Sequence, residues 1–228
     1  MGLKTVTQEG TGKMMMMMMM MKRGFDILAS VVGLLVLFPV LLVCGLLIKL
    51  EDGGPMFYRG MRAGWYGKLF RIFKFRTMVV NAEELGGPST ADDDPRITRT
   101  GKFLRKYKLD EIPQLLNVLR GEMSFVGPRP EVPMEVETYT EEEKGVLLVR
   151  PGITDWASIK FHNEGEILRG SKDPHQTYRE KIRPEKLRLE LDYVENHSLH
   201  VDFKILTQTF LMLFITRVRT KRTKQNRI

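Results

Sequence analysis

The chain runs from Ile27 to Ile48 without a charged residue, as ILASVVGLLVLFPVLLVCGLLI. At about 1.5 Å per residue, a helix of this length covers a hydrocarbon core of about 30 Å. The stretch is too long for a cleaved secretory signal and has no small-residue cleavage site after it. The pattern therefore predicts a chain held in a membrane. Pro39 lies near the middle of the run, where it removes a helical hydrogen bond and favours a bend. Basic residues flank both ends: Lys22 and Arg23 before it, then Lys49, Arg59, Arg62 and Lys68 after it. A basic flank marks the cytoplasmic end of a membrane helix, and here both ends carry one. Two geometries meet these facts. One is a kinked spanning helix; the other is a bent, re-entrant helix that enters and leaves by the same face.

Beyond the turn cluster Glu51-Asp52-Gly53-Gly54-Pro55, two aromatic-rich runs, Met56–Met61 and Leu69–Thr77, flank a turn at Gly64–Gly67. Their composition predicts a β-hairpin. Its second strand interleaves Arg71, Lys74 and Arg76 with Phe70, Phe73 and Phe75, which suits a membrane-surface hairpin and a substrate-binding strand alike. Residues 81–95 read as a polar loop. Three consecutive aspartates there, Asp92 to Asp94, rarely converge on one ion, so a solvated loop or helix cap is the better reading. Thr98 to Lys108 is expected to be a basic helix. Ile112, Leu115, Leu116 and Leu119 then mark an apolar helical face, with Gly121 as its stop. Asp110 is the expected N-cap and Glu111 the first residue, with Pro113 tolerated in the first turn. In Gly127-Pro128-Arg129-Pro130 the two prolines restrict the backbone, so Arg129 is displayed on a stiff strap. An acidic helix is expected over Glu131 to Lys144, a second strap at Arg150–Thr154, and a helix over Arg179 to Asn196 that Pro184 starts or kinks. An apolar-rich helix from Val201 to Ile215 precedes a tail with six basic residues from Arg217 to Arg227 and no acid.

Charge refines this picture. Lysine and arginine number 36 against 28 acids, a net +8, which suits a polyanionic partner: lipid headgroups, phosphorylated substrates or nucleic acid. Cys44 is the single cysteine, so an intrachain disulfide and a thiolate zinc site are both excluded. His197 and His200 have a metal-compatible spacing but no third ligand nearby, which favours packed or solvated histidines. The run Met14 to Met21 reads as a low-complexity leader or as sequence upstream of the true start at Met21-Lys22-Arg23, the other reading being a flexible apolar extension of the membrane anchor.

The segment Lys108-Leu109-Asp110-Glu111 is where chemistry is expected. A carboxylate at a helix N-terminus lies near the positive end of the helix dipole and stays ionised. Such a carboxylate can attack phosphorus, and a second one beside it can help hold Mg²⁺. Arg105, Lys108 and Arg129 could neutralise phosphate charge. On this local pattern alone, a plain helix cap explains the acids at least as well.

The wider sequence changes that balance. MKRGFD before the apolar run, FRIFKFRTM, GKFLRKYKLDEIPQLLNVLRGEMSFVGPRP, RPGIT and DFKILTQT occur in order between Lys22 and Phe214. Together they resemble the bacterial sugar transferase family, the monotopic phosphoglycosyl transferases in their small, catalytic-core form. The resemblance implies a helix-dominated α+β fold: a re-entrant membrane helix broken at Pro39, with amphipathic surface helices packed around a small β-hairpin. It implies a layout of leader 1–21, membrane helix 22–50, cytoplasmic catalytic domain 51–200, surface helix 201–216 and basic tail 217–228. Asp110 is implied as the nucleophile, and Glu111, with Asp110, as the Mg²⁺ site. Lys74, Arg76, Arg105 and Arg129 are implied as substrate-phosphate positions. The implied activity moves a sugar 1-phosphate from a UDP-sugar to polyprenol phosphate at the cytoplasmic face of the bacterial inner membrane, as the first membrane step of glycan assembly. The partners are then the UDP-sugar, polyprenol phosphate and membrane lipids, with no nucleic acid; pairing into a homodimer is left open. Phe38 stands where relatives often have Ser, and Asp155 where Gly is common. Phe161-His162-Asn163 replaces a usual Gly-Arg-Asn, so His162, with Arg150, is a candidate for nucleotide-sugar recognition. The contrasting reading is a non-enzymatic membrane-surface protein whose basic patches bind anionic lipid or nucleic acid.

Overall fold

The computed structural model describes the backbone of residues 3–225 and the side chains of residues 16–213. It begins with one long helix, α1 (Leu3–Asp52), which includes Pro39. From Met16 onward α1 is long and apolar enough to cross a membrane. One stripe of it is covered by the rest of the protein: Asp26, Ser30, Cys44 and Ile48 are buried, with Gly33 and Leu41 partly so, at helical spacing. The other side, with Leu28, Leu35, Val36, Leu42 and Leu46, is exposed.

The covered stripe is fastened at both ends by polar contacts. At the start, Lys22 Nζ pairs with Asp202 and donates to the Val126 carbonyl at 3.0 Å. Arg23 donates to the Val118 and Leu119 carbonyls at 2.6 and 2.8 Å, and Asp26 accepts from Ser124 Oγ and Phe125 N, both at 3.1 Å. The charged letters of MKRGFD are thus docking contacts. At the far end, Glu51 accepts from the Arg99 and Thr100 amides, and Asp52 pairs with Arg76.

The predicted hairpin is present. β1 (Phe57–Tyr58) pairs with β4 (Lys74–Phe75), and β2 (Met61–Ala63) with β3 (Leu69–Arg71), all antiparallel and in one common register. Between the two ladders Phe73 N donates instead to Asn117 Oδ1 at 2.8 Å, while Asn117 Nδ2 donates to the Arg71 carbonyl at 3.0 Å. A buried asparagine therefore ties the hairpin to the helix beneath it.

The helices agree with the sequence pattern in part. α2 (Arg99–Lys106) is capped by Thr98, and α3 (Leu115–Arg120) stops at Gly121 in the left-handed conformation. The acidic stretch is a correction: only α4 (Pro133–Val136) is α-helical, with a 3-10 segment at Glu143–Leu148. Tyr139 and Val146 must both reach the core with Leu187, and the chain turns to bring them there. β5 (Ser124–Val126) and β6 (Gly152–Thr154) form a parallel pair that local sequence did not announce. A Cβ on Gly152 would lie 2.1 Å from Gly127 N, so the two straps run together only because both carry glycine. α5 (Trp156–Lys160), α6 (Glu164–Ile167) and α7 (Pro174–Lys181) follow. α8 (Arg183–Asn196) has Pro184 in its first turn, and α9 (Leu199–Gln225) ends the described chain. Phe203, Leu211 and Leu213 of α9 are exposed.

Candidate active site

α2 ends at Tyr107, and Lys108 then adopts a left-handed conformation (φ 55°, ψ 24°) that turns the chain. Leu109–Gln114 form a 3-10 turn leading into α3. This corrects the capping expectation. Lys108 occupies the cap position, and Asp110 lies inside the turn, its side chain directed inward and 2% exposed. Pro113 lies inside that 3-10 turn, ahead of α3, so it interrupts no hydrogen bond of the α-helix.

Asp110 Oδ2 lies 2.9 Å from Lys74 Nζ, and Asp110 Oδ1 is buried without a hydrogen-bond partner among the described residues. Lys74 also lies 3.3 Å from Glu111 Oε1, and Arg129 Nη2 meets that same oxygen at 2.5 Å. The hairpin delivers Lys74, the turn delivers both acids, and the Pro-Arg-Pro strap delivers Arg129. Burial alone would raise the Glu111 pKa; Arg129, Lys74 and Lys108 outweigh it and hold the acid well below its ordinary value. Glu111 in turn holds the Arg129 guanidinium above its usual value. Both groups are charged at neutral pH.

Arg105 is half-buried, with Nε donating to Thr77 Oγ1 at 2.9 Å. Burial pulls its pKa down, while Asp110 is the first of the charges that oppose this, so it lies within electrostatic reach of the acid pair. Arg76 does not join the group. Its Nε donates to the Pro55 carbonyl, and Nη1 to Asp52 at 2.6 Å and the Met78 carbonyl at 3.0 Å, so the guanidinium clamps the end of α1. Arg150 lies at the other end of α3 from the acids, donating to the Gly121 carbonyl and stacked 4.1 Å over Trp65. His162 is exposed and contacts the Ile159 carbonyl at 3.2 Å. Pro39 lies within continuous helix. The aspartate triplet diverges, Asp92 toward Arg169, Asp93 to Gly170 N and Asp94 to Arg96, as a loop reading expects. No cluster of three or more metal-binding side chains occurs among the described residues.

Sequence reasoning passed over the support behind Arg129. Its backbone N–H donates to Glu190 Oε1 at 3.3 Å, and Glu190 is buried with Lys186 and Asp155, with the partly buried Glu131 nearby. Lys186 and Tyr178 both hydrogen-bond to Glu131, whose pKa falls to about 2 because these contacts overcome burial. An acid and a lysine at Glu190 and Lys186, four apart on α8, were the available signal.

These features describe a membrane-associated domain that presents an acid pair, Asp110 and Glu111, beneath lysine and arginine. The chain belongs to the bacterial sugar transferase family, whose model matches residues 17–216. It is 38% identical over 193 residues to an Aeromonas hydrophila UDP-N-acetylgalactosamine-undecaprenyl-phosphate N-acetylgalactosaminephosphotransferase, covering 82% of this chain and 42% of the relative. It is 39% identical over 195 residues to a Komagataeibacter xylinus undecaprenyl-phosphate glucose phosphotransferase, covering 82% and 35%. The chain thus spans less than half the length of these two. The exopolysaccharide production protein ExoY of Sinorhizobium fredii is 35% identical over 223 residues, 91% of each chain.

Proposed function

We propose that this chain transfers a sugar 1-phosphate from a UDP-sugar to polyprenol phosphate, in the synthesis of a bacterial polysaccharide. Support comes from family membership, from the activities named for the two transferase relatives, and from the site. One observation carries it: a buried aspartate with one oxygen on Lys74 and the other without a partner. An acid meant only as a cap would spend that oxygen on a backbone N–H.

In this reading an Asp110 oxygen attacks the sugar-bearing phosphorus, the bond to the UMP oxygen breaks, and UMP leaves. An oxygen of polyprenol phosphate then attacks the aspartyl phosphosugar, giving polyprenyl diphosphosugar and freeing Asp110. Lys74 and Arg129 balance the charge that builds on the equatorial oxygens, and Arg105 adds to that field. Mg²⁺ fits the donor set, since the unpartnered Asp110 Oδ1 and Glu111 are hard oxygen ligands. Those two residues would hold the ion, which would neutralise charge on the diphosphate.

The same reading makes α1 monotopic, with Pro39 at its bend. Polar contacts fasten Lys22, Arg23 and Asp26 at one end, and Glu51 and Asp52 at the other, to a single domain. A helix crossing the bilayer would leave one of these sets on the far side. The reaction then takes place at the cytoplasmic face, where a lipid acceptor and a soluble donor meet.

The test is incubation with a radiolabelled UDP-sugar and Mg²⁺ in the absence of acceptor. Label bound covalently to the wild-type chain and lost on adding polyprenol phosphate is expected. Continued UMP release beyond one equivalent per chain that needs neither lipid nor divalent ion would reject the reading.

A further inference from the structure

The face of the hairpin opposite Lys74 carries an arrangement that the acid pair does not use. The guanidinium carbon of Arg59 lies 3.4 Å from the centre of the Phe73 ring, and that of Arg120 lies 4.7 Å from it. Among the described residues neither guanidinium donates a hydrogen bond or joins an ion pair, and Arg59 Nε is buried without a partner. Arg71 adds a third cation, its Nη1 donating to the Arg59 carbonyl at 3.3 Å. Glu122, a carboxylate in electrostatic reach, accepts from Asn117 Nδ2 at 2.7 Å. Burial and the nearby Arg120 both depress the Arg59 pKa, so the two cations repel one another beside the ring. Like charges held together with unpaired donors attract an anion.

The neighbouring surface is apolar. Phe57, 36% exposed, meets Phe73 edge-on with ring centres 6.2 Å apart and stacks on Phe75 at 5.4 Å. Phe75 packs against Cys44 and Ile48 of α1, and Met56 is exposed beside it. The anion that fits therefore has an apolar tail lying beside α1.

We propose that Arg59 and Arg120, stacked on Phe73, form a binding site for the phosphate group of a membrane amphiphile. Arg71 adds attraction, and Phe57 and Met56 receive the first carbons of the tail. Among the described residues Asp110 and Glu111 pair with Lys74 and Arg129, and with neither Arg59 nor Arg120, so this site is separate from the acid pair. The inference concerns binding alone and stands whether or not Asp110 forms a covalent intermediate.

The test uses the full chain in neutral detergent without UDP-sugar, titrated with farnesyl phosphate, phosphatidylglycerol, farnesol or inorganic phosphate and read by native mass spectrometry. Farnesyl phosphate, phosphatidylglycerol or both should bind far better than farnesol or inorganic phosphate. Arg120→Gln should weaken that binding about tenfold, the scale of one lost charge-assisted contact. Arg120 is exposed and donates no hydrogen bond, so the variant should keep the wild-type melting temperature; Arg59→Lys, which keeps the charge but loses the fork, is the second variant. Arginine-dependent binding of farnesyl phosphate alone identifies prenyl phosphate as the ligand; equal effects on both lipids identify a general headgroup site. Unchanged lipid affinity in both variants, or farnesol binding as tightly as farnesyl phosphate, overturns the proposal.

Discussion

Lys74 Nζ sits between the two acids, 2.9 Å from Asp110 Oδ2 and 3.3 Å from Glu111 Oε1. One ammonium group thus holds the orientation of Asp110, the nucleophile in the proposed reaction, and is in place to meet incoming phosphate. Lys74→Met, which keeps an unbranched stem one atom shorter and removes the charge, should lower kcat by about a hundredfold or more. Steady-state kinetics with the UDP-sugar would check this; a change confined to KM would make Lys74 a binding residue only.

Asp110→Asn keeps the size of the side chain but removes its ability to form the acyl phosphate. Turnover should fall by about three orders of magnitude or more, with no trapped adduct. Because the carboxamide can still accept from Lys74, circular dichroism should be unchanged. Near-normal activity in this variant would end the covalent reading.

Arg76→Ala tests a different role. The arginine is buried and its donors are spent on Asp52, Pro55 and Met78, so the loss should appear in stability, at about 2 kcal/mol. Thermal melting in detergent is the measurement. A variant that melts normally but loses substrate affinity would return Arg76 to the substrate.

Glu190 gives a pH-dependent outcome. Burial, with Asp155 and Glu131 nearby and Lys186 opposing, raises its pKa well above 4.5 in the folded chain. A raised carboxyl binds its proton more tightly when folded, so its contribution is full below about pH 4.5 and is lost as the pH climbs through the folded value. Glu190→Gln should therefore gain stability relative to wild type as the pH rises, by up to about 1.4 kcal/mol per pH unit until the folded pKa is passed. Melting curves from pH 5 to pH 8 would show it. A constant difference between the two proteins would mean that the acid is already ionised throughout.

The proposed monotopic geometry predicts matched accessibility. In a Cys44→Ala background, Gly24→Cys and Lys49→Cys should both react with a membrane-impermeant maleimide from the cytoplasmic side of inverted vesicles. Labelling from opposite sides would make α1 a spanning helix.

Features coded by nearby residues were legible in the sequence. The apolar run, the hairpin with its Gly64–Gly67 turn, α3 with its Gly121 stop and the Arg129 strap all follow from local spacing. So did the meeting of Lys74, Asp110, Glu111 and Arg129, but through family resemblance rather than periodicity. What local pattern could not give was contact between distant segments. The β5–β6 pairing, the Arg76 clamp on α1 and the burial of Glu190 behind Arg129 each join residues far apart in the chain. The acidic stretch after Pro130 misled for the same reason, since helix-favouring residues gave way to the need to bury Tyr139 and Val146.

α1 is best understood as a floor and not a leash. Because Asp26, Ser30, Cys44 and Ile48 are part of the protein's interior, cutting the helix away would open Phe75 and Leu104 to water and leave Ser124, Arg76 and the α2 amides without their partners. A water-soluble form of this protein would therefore have to keep the helix and exchange its outward-facing leucines and valines for polar residues.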